Sequence, residues 1–178
     1  SNQIKAASRW CHISTGYNNR TSGHTNFIGN GVGNVINGES GFIGTGTVDR
    51  VLDSKASGIL GGDYNSIQSG VTYSIIGGGY SNDILSGSSK SFIGGGLGNL
   101  IWQSEGSTIG GGEGNLILPN ASNSAILGGQ LNTVGTGSTY TVIGGGFNNQ
   151  AFSGNSSFIG GGQGNIIKNS PNARSNSS

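Results

Sequence analysis

Apolar and polar positions recur along the chain in one pattern: an isoleucine, glycines, an asparagine six positions on, and a second apolar residue two beyond that. The isoleucines stand at Ile13, Ile28, Ile43, Ile59, Ile76, Ile93, Ile109, Ile126, Ile143 and Ile159, ten anchors spaced by 15 to 17 residues. So short a period marks a solenoid, whose units bury their apolar faces only against their neighbours. Three residues after every anchor, from Gly16 to Gly162, stands glycine, where the chain either needs positive φ or leaves no room for a Cβ. Six after the anchors come Asn19, Asn34, Asp49, Asn65, Asn82, Asn99, Asn115, Asn132, Asn149 and Asn165. Eight after them the residue is apolar in nine units, as at Ile36, Val51, Ile84, Ile117 and Val134, with Thr21 the exception.

Units of this size cannot hold a helix pair, and glycine with β-branched residues disfavours any helix, so each predicts two short strands joined by turns. The chain is therefore expected to be all-β, a parallel β-solenoid of about ten coils, on the order of 50 Å long at about 4.8 Å per coil. Residues 1–11 form an N-terminal cap or linker, 12–167 the repeat domain, and 168–178, where the pattern is lost, a poorly ordered tail. Strand parity turns the anchor, the asparagine and the second apolar residue to one side, the coil interior. There Asn34, Asn65, Asn82, Asn99, Asn115, Asn132, Asn149 and Asn165 form a ladder that bonds buried turn backbone, with Asp49 taking the same structural place.

The residue before each anchor must then face outward, and that row includes Phe27, Phe42, Ile75, Phe92, Val142 and Phe158. An apolar outer face asks for a second layer, most simply another copy of the chain, so these six are expected to form an oligomer seam.

Composition narrows the function. Glycine numbers 38 of 178 residues, but two prolines and no Gly-X-Y period exclude collagen. Eight basic and seven acidic residues leave a net charge of +1, which favours neither nucleic acid nor an anionic membrane as a partner. No apolar run of about 18 residues predicts a membrane-inserted helix, and no basic start followed by an apolar stretch predicts a signal peptide. The single Cys11 cannot form an internal disulfide, and its neighbour His12 is weak ground for a nucleophile.

The segment Ser91-Phe92-Ile93-Gly94-Gly95-Gly96-Leu97-Gly98-Asn99-Leu100-Ile101, repeated from Ser157 to Ile167, resembles the repeat of chlorovirus glycoproteins. It is also similar to the head repeats of trimeric autotransporter adhesins. Both resemblances run from about His12 to Ile167. The first implies a virion-surface, extracellular protein of an alga-infecting large DNA virus that attaches to the host cell wall. The second implies a homotrimer of left-handed β-rolls used for adhesion, although units of 15 to 17 residues depart from the shorter adhesin repeat.

Sites of chemistry are sparse. Segments such as Gly111-Gly112-Glu113-Gly114 mimic the start of the calcium-binding nonapeptide, but Leu116, Leu100 and Ile166 stand where a carboxylate is required, so no metal is expected. The glycine runs lack the GKS or GKT of a phosphate loop, and no cofactor is implied. Glycan hydrolysis needs two carboxyl groups about 5 to 9.5 Å apart, whereas Asp63 and Glu113 share a row about 14 Å apart, so no catalytic residue is assigned. Arg50, Asp53 and Lys55 read as a solvated turn.

Sugar binding has more to work with. Tyr17, Tyr80 and Phe147 stand four after their anchors and Tyr64 five, beside Asp63, Ser81 and Asp83, a set of aromatic faces and polar groups suited to a glycan. The row nine after the anchors, Leu52, Leu85, Trp102, Leu118 and Phe152, reads as subunit packing. Four triplets, at Asn19, Asn120, Asn155 and Asn176, match the N-glycosylation pattern, the first set aside because Asn19 belongs to the ladder. The sequence thus points to non-catalytic attachment to host cell-wall polysaccharide, with a passive spacer and a trimeric polysaccharide-degrading spike as alternatives.

Overall fold

A computed structural model describes residues 1–6, 8–152 and 155–168. It is all-β: two parallel sheets, of ten and eleven strands, wind as the walls of a solenoid of about ten turns. One sheet, here the anchor sheet, holds the row before each anchor and the anchor itself, as in Phe92–Ile93; the other, the flank sheet, holds the pair seven and eight residues on, as in Leu100–Ile101. Each coil adds one strand to each sheet, paired in register, for example Ile76 against Ile93 and Ile84 against Ile101. The N-terminal residues extend the stack, Gln3–Ile4 pairing with Arg20–Thr21 on the flank sheet. At the other end Lys168 belongs to the strand Ile166–Lys168 and pairs with Phe152, so the repeat runs one residue further than expected. The remainder of the tail lies outside the described residues.

The core is a column about two aliphatic side chains per coil wide. Anchors from Ile28 to Ile143 and flank residues such as Ile36, Ile67, Ile101 and Ile117 are fully buried. Full burial contributes about 1.5 to 3 kcal/mol for each such side chain. What a column this thin cannot do is shield its corners, where turning backbone is buried without strand partners. The asparagine ladder serves one corner. Asn99 Nδ2 donates to the Gly95 carbonyl of its own coil and the Gly112 carbonyl of the next, both at 3.0 Å, and its Oδ1 accepts from the Asn115 amide N–H at 3.0 Å. The glycine three after the anchor is explained twice over. Gly96 has φ of +96°, and a Cβ there would collide with the Gly112 carbonyl and meet Asn99 Nδ2 at 2.8 Å.

A second polar ladder was visible in the sequence only as serines near turns. Two before the anchors, Ser57, Ser74, Ser91, Ser107, Ser124 and Thr141 are buried, and each serine hydroxyl accepts the amide N–H of the next member, as Ser74 Oγ does from Ser91 at 3.1 Å. Five before the anchors, Ser54, Ser88, Ser104 and Ser138 alternate inward with Val71 and Ala121. The row two before the anchors continues a corner of the 15-residue coils, where Asn26 accepts the Gly41 amide N–H at 2.7 Å, whereas the row five before them adjoins a third corner that those coils lack. The added residue is Asp53, with φ of +41°, where the pairing of Val35–Glu39 with Arg50–Lys55 skips a position. From there on, corner residues in the left-handed region recur at the same place, among them Gly70, Gly87, Gln103, Asn120 and Gly137.

Asp49 breaks the ladder's chemistry. It is fully buried, and its Oδ1 accepts from the Asn65 amide N–H at 2.8 Å and from Asn65 Nδ2 at 3.1 Å, as an asparagine would. Its Oδ2, standing where Asn34 and Asn65 each present an NH2 to two carbonyls, has no partner. Burial drives the carboxyl from 3.8 up to about 7, against the lowering effect of the Asn65 bonds and with some help from Asp63. The neutral acid is the form that fits, because its O–H restores one of the two missing donations.

Two predictions follow from the ladders. Asn115→Leu should lower stability by about 1 to 3 kcal/mol, since two carbonyls and one amide lose their partner in a buried place; an unmoved denaturation curve would refute the assignment. For Asp49, a raised folded-state value means that the fold holds a proton the unfolded chain has released. Stability is then highest near pH 4 and falls as pH rises towards about 7, above which both states are ionised. Asp49→Asn should melt higher than the parent at pH 8 and nearly with it at pH 4, as thermal melts across that range would record.

Candidate functional site

The chemistry that a solenoid presents is set by its outward rows, and the corner five after the anchors shapes the most developed of them. Every residue there is in the left-handed region, from Asn18 to Gly164. Glycine fills the position freely at Gly33, Gly98, Gly114 and Gly164, whereas Val48 and Tyr64, at φ of +60° and +61°, bear the steric cost of a side chain. These two are successive members of the row and line the same groove.

That groove, of about 320 Å³, lies on the outer face of the flank sheet and is completed by Arg50, Asn65, Ser66 and Asp83. Arg50, Ser66 and Asp83 are vertical neighbours, paired in register across three coils. Tyr64 forms one wall, and its ring meets that of Tyr80 from the next coil with centroids 5.5 Å apart at 50°. Both rings are about half exposed, 51% and 50%. They meet because Tyr80 pairs with Asp63, so that Tyr64, one residue further on, lies at the edge of the same rung. Asp83 is half-buried, and that burial raises its carboxyl from 3.8 to about 6. Ser81 follows Tyr64 in the corner row and donates its amide N–H to the Asp63 carbonyl at 3.0 Å.

The structure thus brings together Tyr64, Tyr80, Asp63, Ser81 and Asp83. Tyr17 and Phe147 are left apart: both lie on the ridge of Tyr80, but three coils before Tyr64 and four after Tyr80, beyond the reach of one sugar. Arg50 and Ser66 are the residues that the sequence reading missed. The sequence suggests a solvated turn of Arg50, Asp53 and Lys55, whereas Arg50 heads a strand and lines the groove. Its place, one residue after the ladder position as Ser66 and Asp83 are, was the available signal.

The row before the anchors does face outward. Phe27, Phe42, Ile75, Phe92 and Phe158 are between 37% and 70% exposed, and the rings of His12, Phe27 and Phe42 stack at 5.6 Å. The position two further on, next to it on the same face, compensates for it. Where the first is Phe the second is Gly, and a Cβ on Gly29, Gly44 or Gly94 would lie 3.3 to 3.4 Å from the ring. Where the first is Gly58 or Ala125 the second is Leu60 or Leu127. Eight of the ten coils keep one apolar side chain of Val size or larger at one of the two positions, the exceptions being His12 with Ser14 and Thr108 with Gly110, and over Gly58 a hollow of about 360 Å³ opens between Phe42 and Ile75.

Among the described residues no three of His, Cys, Asp and Glu converge to hold a metal. Asn19 is buried with its Nδ2 bonded to the Thr15 and Gly31 carbonyls, which removes it as a glycan acceptor, while the triplet at Asn176 lies outside the described residues. Comparison with known proteins finds no matching family model and no matching curated protein. What the fold and these surfaces define is a class: a parallel β-solenoid with a polar, aromatic-walled groove on one wall and an apolar stripe on another.

Proposed function

We propose that this chain is a virion-surface, extracellular attachment protein that binds host cell-wall polysaccharide without cutting it, working as a homotrimer. The observation that carries the binding role is the Tyr64–Tyr80 pair, two half-exposed rings from adjacent coils beside a groove of polar groups. Sugars stack on such faces and bond such groups, and coils about 4.8 Å apart set the rings under successive units of one glycan. The virion setting rests on the resemblance of the repeats.

Assembly is supported by the compensating pairs on the anchor sheet. A face left in water has no reason to keep an apolar group in eight coils of ten, whereas a face against another chain does. Three copies around an axis would carry three grooves, so intact wall should bind far better than short oligosaccharides.

Two measurements test the reading. Sedimentation should show three chain masses, and Phe92→Asp with Phe158→Asp should break the assembly by placing charges in the seam; a wild-type chain that sediments as a folded monomer overturns the trimer. In a wall pull-down, Tyr64→Ala with Tyr80→Ala should bind at least about tenfold less with melting nearly unchanged, because exposed sites shift stability by about 0.5 kcal/mol or less. Equal binding by parent and variant would place the glycan elsewhere, and no binding by either would make the rod a spacer.

A further inference from the structure

The groove at Tyr64 continues along the rod as a track of unpaired cations. Arg50 and Arg20 stand in the same outward row of the flank sheet, two coils apart with Val35 between them, which is about 10 Å along the axis. One coil before Arg20 and two residues further along the strand, level with Ser22, Lys5 lines a second groove with it, of about 170 Å³, floored by Ser22, Asn37 and Leu52. All three cations are exposed. Among the described residues the ion pairs are Lys55 with Glu39 at 3.8 Å and Lys90 with Glu105 at 2.7 Å, so no carboxylate neutralises Lys5, Arg20 or Arg50. Of the acids on this face, Asp53 accepts from Asn37 Nδ2 at 2.7 Å and keeps its charge at the edge of the second groove, and Asp83 lies two coils past Arg50 in the first; neither forms an ion pair with the three cations.

In a chain of net charge +1, three cations close together on one wall, two of them in one row, form a local positive patch that the total conceals. We infer that the flank-sheet track from Lys5 through Arg20 and Arg50 to Tyr64 binds an acidic polysaccharide, one bearing carboxylate or sulfate groups, laid along the rod axis. The inference rests on the attachment reading above and gives its ligand a charge. Guanidinium groups take up carboxylate or sulfate through paired N–H donors. Between the cations, Ser22, Asn37 and Ser66 offer the hydroxyl and amide groups that sugar hydroxyls bond, and Tyr64 offers a ring face. Single-stranded nucleic acid fits less well. Its charge is dense, proteins that hold it strongly neutralise many phosphates, and three cations with Asp83 at the end of the track are too few.

The test compares immobilised polygalacturonate, dextran of similar size and oligo-dT as ligands for the full chain at one low salt concentration. The parent should bind polygalacturonate about tenfold or more tightly than dextran or oligo-dT, and added salt should weaken that binding. Arg20→Gln with Arg50→Gln should lose that preference while sedimentation and melting stay as in the parent, and Arg20→Lys with Arg50→Lys should keep most of it. The inference is overturned if the parent does not prefer polygalacturonate to dextran, if the Gln variant binds it as well as the parent does, or if oligo-dT binds as tightly. Should walls still pull down the parent in a Tyr64- and Tyr80-dependent way while polygalacturonate does not bind, the charge preference fails and the attachment reading stands.

Discussion

The structure depends on one constraint: a chain that turns every few residues around a thin apolar column buries corner peptide groups that no strand can pair. An asparagine side chain answers it with one acceptor and two donors. At Asn99 the oxygen takes the N–H of Asn115, and the nitrogen reaches a carbonyl in its own coil and one in the next. Because each amide bonds both along and across the stack, the ladder sets the coil spacing as well as satisfying the turn. The glycine three after the anchor is part of the same device, since any Cβ there would occupy the space between that amide and the next coil. The serine ladder repeats the solution at the other corner with a smaller group, one hydroxyl that both accepts and donates, as Ser91 does with Ser107 and the Ser104 carbonyl.

Strict stacking turns every outward position into a row, and rows are what a solenoid has in place of a pocket built from distant loops. The larger groove and the hollow in the apolar stripe arise where neighbouring coils differ from the repeat. Val48 and Tyr64 replace glycine at a corner that glycine fills without strain, and between them they wall the larger groove. Gly58 leaves a gap in the stripe, and Leu60 of the same coil stands beside it. In each case the departure costs local stability or regularity and yields a surface feature, the pattern expected where selection acts on the surface instead of the core.

Asp49 and Asp53 mark the junction at which the two-cornered coils end. The insertion at Asp53 opens the third corner, and Asp49, four residues earlier, is the single ladder member that lacks the amide nitrogen. The outcome is a rod whose interior is uniform on either side of one coil and titratable at it, since the buried carboxyl fits the ladder only with its proton.

Period and parity sufficed to read the architecture from the chain. Ten anchors, the ladder at the sixth position and the outward row before the anchors follow from spacing alone, because a strand alternates its side chains and a repeat of 15 to 17 residues must stack. The serine rows were present in the same spacing but went unread, since serine beside glycine looks like turn chemistry until burial shows that it faces inward. What only the tertiary structure decided is which rows meet in space. That Tyr64 touches Tyr80, that Arg50 shares a groove with Asp83, and that Tyr17 and Phe147 stand apart from both depend on corner geometry and on which coil each residue occupies. A linear pattern carries the height of a residue on the rod, but the left-handed corners decide the direction in which its side chain leaves.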